Sequence, residues 1–259
     1  MNQNRQKDPG PDIPHWMRPL KGLSVCADEI HVWRCFLDRP EHQKKMLAAT
    51  LSDDESRRAA SFHFERDRLR FLITRGMLRT ILGRYLGTEP REVCFTYGII
   101  GKPSLAESQG PRLCFNISHS RDLALFAFAY DRKTGVDVEY IDHDRDIAHI
   151  VGRFFSSEET SEFYSLPQDK RHEAFFTYWT CKEAYLTAEG MGLSFGLDKV
   201  ALTMTQEGSV SLTAIDGDVR KAASWTLRIL DPAPGYAAAL AVNGHGLGLR
   251  KWDWDLTLP

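Results

Sequence analysis

At 259 residues, with 42% hydrophobic and 26% charged side chains, the chain has the make-up of a soluble globular protein of one large or two modest domains. A net charge of −2 and a pI near 6.5 give no global field for nucleic acid or a membrane surface, so electrostatic recognition has to be local. Cys26, Cys35, Cys94, Cys114 and Cys181 form no CxxC pair and are odd in number, which argues against a disulfide framework or a zinc site and suits a reducing, cytoplasmic setting.

The opening MNQNRQKDPGPDIPHWMRP is polar and proline-rich, with no apolar run for a signal peptide, and reads as an arm over residues 1–22. No later segment reaches the length of a membrane span. EIHVWRCFL alternates as a first strand, and Ser52-Asp53-Asp54-Glu55 has the S-x-x-E form of a capping box opening a helix. A longer helix is predicted from about Arg66 to Leu86, stopped by Gly87. REVCFTYGIIGKPSL reads as a strand and a turn. RLCFNIS and LALFAFAYD then read as strands around an SHSRD turn, the second apolar throughout and so buried on both faces. GVDVEY is another strand. Ser156-Ser157-Glu158-Glu159 forms a second capping box before a short helix, and a long helix runs from about His172 to Glu189. KVALTMT, SVSLTAI, SWTLRIL and YAAALAV are strand-like.

The two halves share a register. Ser52 and Ser156, Glu55 and Glu159, Phe71 and Phe175, and Leu82 and Leu186 are each 104 apart (156 − 52), as a duplicated α/β unit would give. The expected division is an N-terminal subdomain over 23–134 and a C-terminal one over 135–259, with the functional site between them.

In GVDVEY, Asp137 and Glu139 share one face of the strand while Val136 and Val138 share the other. Glu183 falls within the apolar stripe of its helix, set by Phe176, Trp179 and Leu186, and a carboxylate there needs a cationic partner or a metal. A Lys or Arg partner for Glu183 remains open. Three hard carboxylates without Cys or clustered His point to Mg²⁺, which takes one or two carboxylates, waters and a substrate phosphate. Between Arg57 and Arg84, eight arginines stand against Glu65 and Asp67, a local balance of +6 (8 − 2). Arg68, Arg75 and Arg79 lie on one helical stripe and Arg66 and Arg70 on another, either a solvated face or a surface for phosphates. No P-loop or GxGxxG motif is present; Lys102 in GKP and His119 in SHS are further donors on predicted loops.

The series GKPSL, FNISHS, GVDVEY, RFFSSEE and WTCKEAYLTAEGMGLS, from about Leu51 to Leu197, resembles the 4′-phosphopantetheinyl transferases of the surfactin-synthetase-activating (Sfp-like) type. The resemblance implies an α+β fold of α/β layers: a pseudo-twofold duplication of two similar subdomains, each a small, largely antiparallel sheet packed with a long helix. It implies CoA as substrate and Mg²⁺, with Mn²⁺ as a substitute, in the cleft between them. The implied reaction transfers the phosphopantetheine arm of CoA to a serine of an apo acyl or peptidyl carrier protein, releasing adenosine 3′,5′-bisphosphate.

Carried over by motif, Asp137, Glu139 and Glu183 become metal ligands, and Lys102, Ser118 and His119 phosphate contacts on CoA. Lys182 becomes the residue that neutralises or protonates the departing phosphate, and Glu183 or a metal-bound water takes the serine proton. Arg58 and Arg70 are assigned to the 3′-phosphate. Glu159 matches a family glutamate, yet its capping-box position already accounts for it. Thr187 stands where relatives often carry a second lysine, so one phosphate contact is missing or comes from elsewhere. The partners implied are CoA and an acidic helical carrier, with no nucleic acid or membrane and a monomer as the working unit. A serine hydrolase lacks its GxSxG elbow here. A non-catalytic CoA- or carrier-binding homologue is the stronger alternative, although Asp137, Glu139, Lys182 and Glu183 are all retained.

Overall fold

A computed structural model describes residues 15–19, 22–98, 101–109, 112–191, 195–205 and 209–254. The first half contains β1 (Glu29–Phe36), α1 (Glu41–Ala49), α2 (Asp53–Ala60), α3 (Glu65–Leu86), a short hairpin of β2 (Phe95–Tyr97) and β3 (Pro103–Leu105), and a long hairpin of β4 (Leu113–Ser120) and β5 (Leu123–Tyr130). The second continues with β6 (Thr134–Tyr140), α4 (Ala148–Phe154), α5 (Ser157–Ser165), α6 (Arg171–Glu189), β7 (Val200–Met204), β8 (Val210–Ile215), α7 (Val219–Ala222), β9 (Trp225–Leu230), β10 (Tyr236–Asn243) and β11 (Gly248–Asp253).

Four strands in the order β11-β1-β5-β4 form one sheet, and β6-β10-β9 form another. All neighbours are antiparallel except β1 and β11. Alternation along β5 builds two cores. Leu123, Leu125, Ala127 and Ala129 meet Val136, Val138, Leu240 and Val242 between the sheets. Phe126 and Phe128 face the other way, with Trp33, into the Met77, Leu78, Ile81 and Leu82 side of α3. In the second half, Ala237, Ala239 and Ala241 of β10 lie against Cys181, Ala184 and Ala188 of α6. The layers are therefore helix, sheet, sheet, helix, and β5 is buried on both faces, as its continuous apolar run requires.

The duplication is visible in how each long helix is held. Glu55 accepts from Ser52 N–H at 3.1 Å and Glu159 from Ser156 N–H at 2.8 Å, closing equivalent capping boxes on α2 and α5. Both long helices stop at a left-handed glycine, Gly87 (φ +67) and Gly190 (φ +73). The spacing of 104 between boxes becomes 103 between these glycines (190 − 87).

Three features differ from the sequence reading. Not all of 135–259 stays with the second half: β11 crosses back and pairs in parallel with β1, so 248–253 join the first sheet. There Trp252 packs by His31 and Trp33, which would otherwise stand at an open edge. SHS is not a turn, because β4 runs through Ser120 and the hairpin closes on Arg121 and Asp122. Helices α1 and α4 were absent from the sequence reading. Of the predicted arm, residues 1–14 and 20–21 lie outside the described residues; Met17 bridges to Trp252 at the far side of β11. Among the described residues no helix is long and apolar enough to cross a membrane.

Candidate functional site

The acidic face of β6 looks onto α6. At Gly135 the two elements touch backbone to backbone: an added Cβ would collide with the Ala184 carbonyl and lie 2.5 Å from Ala188 N. Alanines 184 and 188 on the helix and 237, 239 and 241 on β10 keep α6 close to the sheet. This approach brings Glu183 within electrostatic reach of Asp137 and Glu139. Burial, with the charges of Glu139 and Glu183 added, raises the Asp137 carboxyl to about 7 despite a hydrogen bond from Ser118. Burial and Glu139 likewise raise Glu183 to about 7.

These residues fit a divalent cation. Asp137 Oδ2 is buried without a hydrogen-bond partner, and the donors are hard oxygens. Among the described residues no group of three or more Asp, Glu, His or Cys side chains is placed to hold a metal ion by itself.

Ser118 was expected to contact CoA phosphate, but its hydroxyl is turned to β6. It donates to Asp137 Oδ1 at 2.7 Å and accepts from Val138 N–H at 3.2 Å. Ser120, two residues on and so on the same face, donates to Glu139 Oε2 at 2.8 Å and accepts from Tyr140 N–H at 3.1 Å. Asn116 Oδ1 accepts from Val136 N–H at 2.8 Å.

His119, between the two serines, lies on the other side of β4. It lines a cavity of about 460 Å³ with Arg58, Arg70, Thr74, Arg75 and Phe71. Both arginines assigned to the 3′-phosphate are therefore in one place with His119. Burial and the nearby Arg70 charge lower the His119 pKa, which favours a neutral imidazole. Arg58 stacks on Phe71, with its guanidinium carbon 5.3 Å from the ring centroid. Sequence reasoning left Arg75 unassigned within its helical stripe. It is only 7% exposed, its Nη1 has no partner, and the adjacent Thr74 Oγ1 is equally orphaned. The Arg75 Nε faces Glu55 Oε1 at 3.6 Å, a carboxylate that also takes Arg79, while Arg68 of the same stripe pairs with Glu65.

A second cavity, of about 400 Å³, shares Gly101, Pro103 and Ile117 with the first and adds Lys102, Glu183 and Thr187. Lys102 reaches across from the first half and donates to Thr187 O at 2.6 Å. The Lys102 amine thus stands beside the backbone of Thr187. Beyond Lys102 a larger cavity of about 1000 Å³ is lined by Leu105, Leu113, Cys114 and Phe115.

Lys182 is not brought to this groove. Its side chain is fully buried on the far side of α6, and its amine is held by Glu159 Oε2 at 2.7 Å, Leu197 O at 2.9 Å and Phe154 O at 3.4 Å. An ammonium has three N–H donors, and all are used. The expectation that Lys182 neutralises a departing phosphate is corrected accordingly. The step of about 100° between neighbouring helical residues turns Glu183 to the groove and Lys182 into the core.

A family description reading "4′-phosphopantetheinyl transferase, N-terminal" matches residues 38–130, and "4′-phosphopantetheinyl transferase superfamily" matches residues 133–241. The 4′-phosphopantetheinyl transferase HetI of Nostoc sp. is 41% identical over 240 residues, covering 92% of this chain and 98% of its own. The 4′-phosphopantetheinyl transferase Sfp of Bacillus subtilis is 26% identical over 212 residues, covering 81% and 90%. A holo-(acyl-carrier-protein) synthase from Bacillus anthracis, solved in complex with CoA (3′,5′-ADP), overlays on 44% of this chain and 96% of its own, at 17% identity and a TM-score of 0.36, a loose and partial likeness. With both halves matched and a relative aligned over nearly its whole length, the chain belongs to the 4′-phosphopantetheinyl transferase superfamily, in its Sfp-like type.

Proposed function

We propose that the protein transfers the 4′-phosphopantetheine arm of CoA to a serine of an apo carrier protein and releases adenosine 3′,5′-bisphosphate, with Mg²⁺ held by Asp137, Glu139 and Glu183. One observation carries the reading: adjacent residues of β4 serve two sites. His119 faces the arginine cavity, and Ser118 bonds the acid that would hold the metal. An anionic ligand lying along this groove has its terminal phosphate among arginines and its pyrophosphate by the carboxylates.

Arg58, Arg70 and Arg75 bind the 3′-phosphate, where guanidinium groups suit a doubly charged oxyanion. Neutral His119 donates to phosphate, and Lys102 supplies positive charge beside Glu183. The larger cavity beyond Lys102 gives room for the pantetheine arm. Bound at the acids, the ion supplies charge neutralisation for the pyrophosphate. The carrier serine Oγ bonds to the phosphorus bearing the pantetheine, and the bond from that phosphorus to the bridging oxygen breaks. Glu183 accepts the serine proton, and adenosine 3′,5′-bisphosphate leaves with the bridging oxygen. Lys182 acts indirectly, by seating α6. Catalysis of this kind rests on positioning and charge neutralisation.

The test is to incubate the protein with CoA, Mg²⁺ and a panel of apo carriers and weigh the carriers. A gain of one phosphopantetheine, abolished by EDTA, is expected. Tight CoA binding with no mass gain on any carrier would instead favour the non-catalytic binder.

A further inference from the structure

The first and second sheets meet along β4 and β6 without a backbone ladder. Three rungs join them, each from a side chain of β4 to an N–H of β6: Asn116 to Val136, Ser118 to Val138 and Ser120 to Tyr140. Every rung spans 20 residues (136 − 116), and the rungs repeat every second residue, so the side chains replace the ladder that an ordinary strand pair would form.

Two of the rungs do more than join strands. A hydroxyl has one proton to donate and lone pairs to accept, and Ser118 and Ser120 use both. Each accepts from a β6 amide and gives its proton to the carboxylate of the residue just before that amide. No other side chain among the described residues donates a hydrogen bond to Asp137 or Glu139. With Asp137 Oδ1 tethered in this way, Oδ2 is the buried atom left without a partner.

We propose that Ser118 and Ser120 are positioning residues of the metal site. They come from the first half, aim the carboxylates of Asp137 and Glu139 in the second, and make cation affinity depend on the register between the halves. This rests on the metal reading above. Asn116 makes the same kind of rung but touches no carboxylate, which separates aiming from joining.

The experiment titrates Mn²⁺ into CoA-saturated protein, follows free Mn²⁺ by electron paramagnetic resonance, and measures hydrogen exchange at the Val136, Val138 and Tyr140 amides. Ser118→Ala and Ser120→Ala are each expected to weaken Mn²⁺ binding by about 10-fold or more, the usual effect of removing a hydrogen bond to a metal ligand. Ser118→Thr keeps the hydroxyl and restores binding. Asn116→Ala speeds exchange at Val136 while Mn²⁺ affinity stays close to wild type. Should Ser118→Ala lower the unfolding temperature enough to blur its titration, Ser120→Ala at the strand end carries the result. Unchanged affinity in the two alanine variants, or an equal loss in Asn116→Ala, overturns the inference and leaves the metal reading intact. A wild-type protein that binds no Mn²⁺ removes both.

Discussion

Lys182 Nζ and Glu159 Oε2 lie 2.7 Å apart with both side chains buried, and Arg79 Nε and Glu55 Oε2 repeat the arrangement at 2.5 Å in the other half. Each acid is also the capping-box glutamate of a short helix, so one carboxylate locks that helix to the long helix beside it. Removing one partner strands a buried charge, which typically costs about 3–5 kcal/mol. Lys182→Met is expected to lose stability of that order in urea unfolding, and Lys182→Met with Glu159→Gln to regain much of it. Wild-type stability combined with lost transfer in Lys182→Met would return this lysine to the chemistry.

Gly135→Ala tests the helix seat. Its methyl meets backbone atoms of α6, which do not yield as a flexible side chain would, so the helix must move. Overpacking of this kind costs about 1–3 kcal/mol. Because Glu183 rides on the moved helix, both Mn²⁺ affinity and transfer should fall. Gly152→Ala, in α4 with open space around the added methyl, is the control and should do neither.

The arginine cavity is tested by comparing CoA with dephospho-CoA. Arg58→Ala, Arg70→Ala and Arg75→Ala should each weaken CoA binding by about 1.5–3 kcal/mol, as for a hydrogen bond to a charged group, and leave dephospho-CoA nearly unaffected. Calorimetry at one fixed salt concentration reads both constants, since screening alters such contacts. If the preference for CoA survives all three substitutions, these arginines do not form the 3′-phosphate site.

His31 predicts an acid sensitivity. Burial pushes its pKa down to about 4, against attraction from Glu29, with Arg250 adding to the fall. The unfolded chain, with an ordinary imidazole, binds the proton more readily between about pH 6.5 and 4, so stability falls as pH drops through that window. The contribution lost by pH 4 is on the order of 3 kcal/mol. In His31→Gln, thermal unfolding between pH 7 and 4.5 should depend less on pH than in wild type. Equal slopes in the two proteins would show that another group sets the acid limit.

The features legible in the sequence were the local ones. Both capping boxes, the glycine stops and the alternation of GVDVEY are decided within a few residues, and each lies where it was expected. Glu183 was readable because a carboxylate in an apolar stripe needs a reason. Lys182 was harder: a helical wheel puts it beside Glu183 but does not say that the wall on that side holds Glu159. The cap accounts for only part of that acid, because a carboxylate can accept from a cap amide and an ammonium together. The polar face Asn116, Ser118 and Ser120 has the period of a strand, yet the SHS cluster looked like turn chemistry and cut the strand short. Arg75 needed three dimensions, since the sequence does not show that its Nη1 is buried beside an equally unsatisfied Thr74 hydroxyl.

The pairing of β1 with β11 also bears on synthesis. Glu29 and its partner Gly248 are separated by 219 residues (248 − 29), which a ribosome takes roughly 10–40 s to traverse at ordinary elongation rates. Through that interval the largest sheet has an open side at a strand carrying Ile30, Val32 and Trp33, and an unpaired apolar edge invites association with other chains. The nascent first half therefore waits for β11, and chaperone supply or slower, cooler expression should raise the yield of soluble protein.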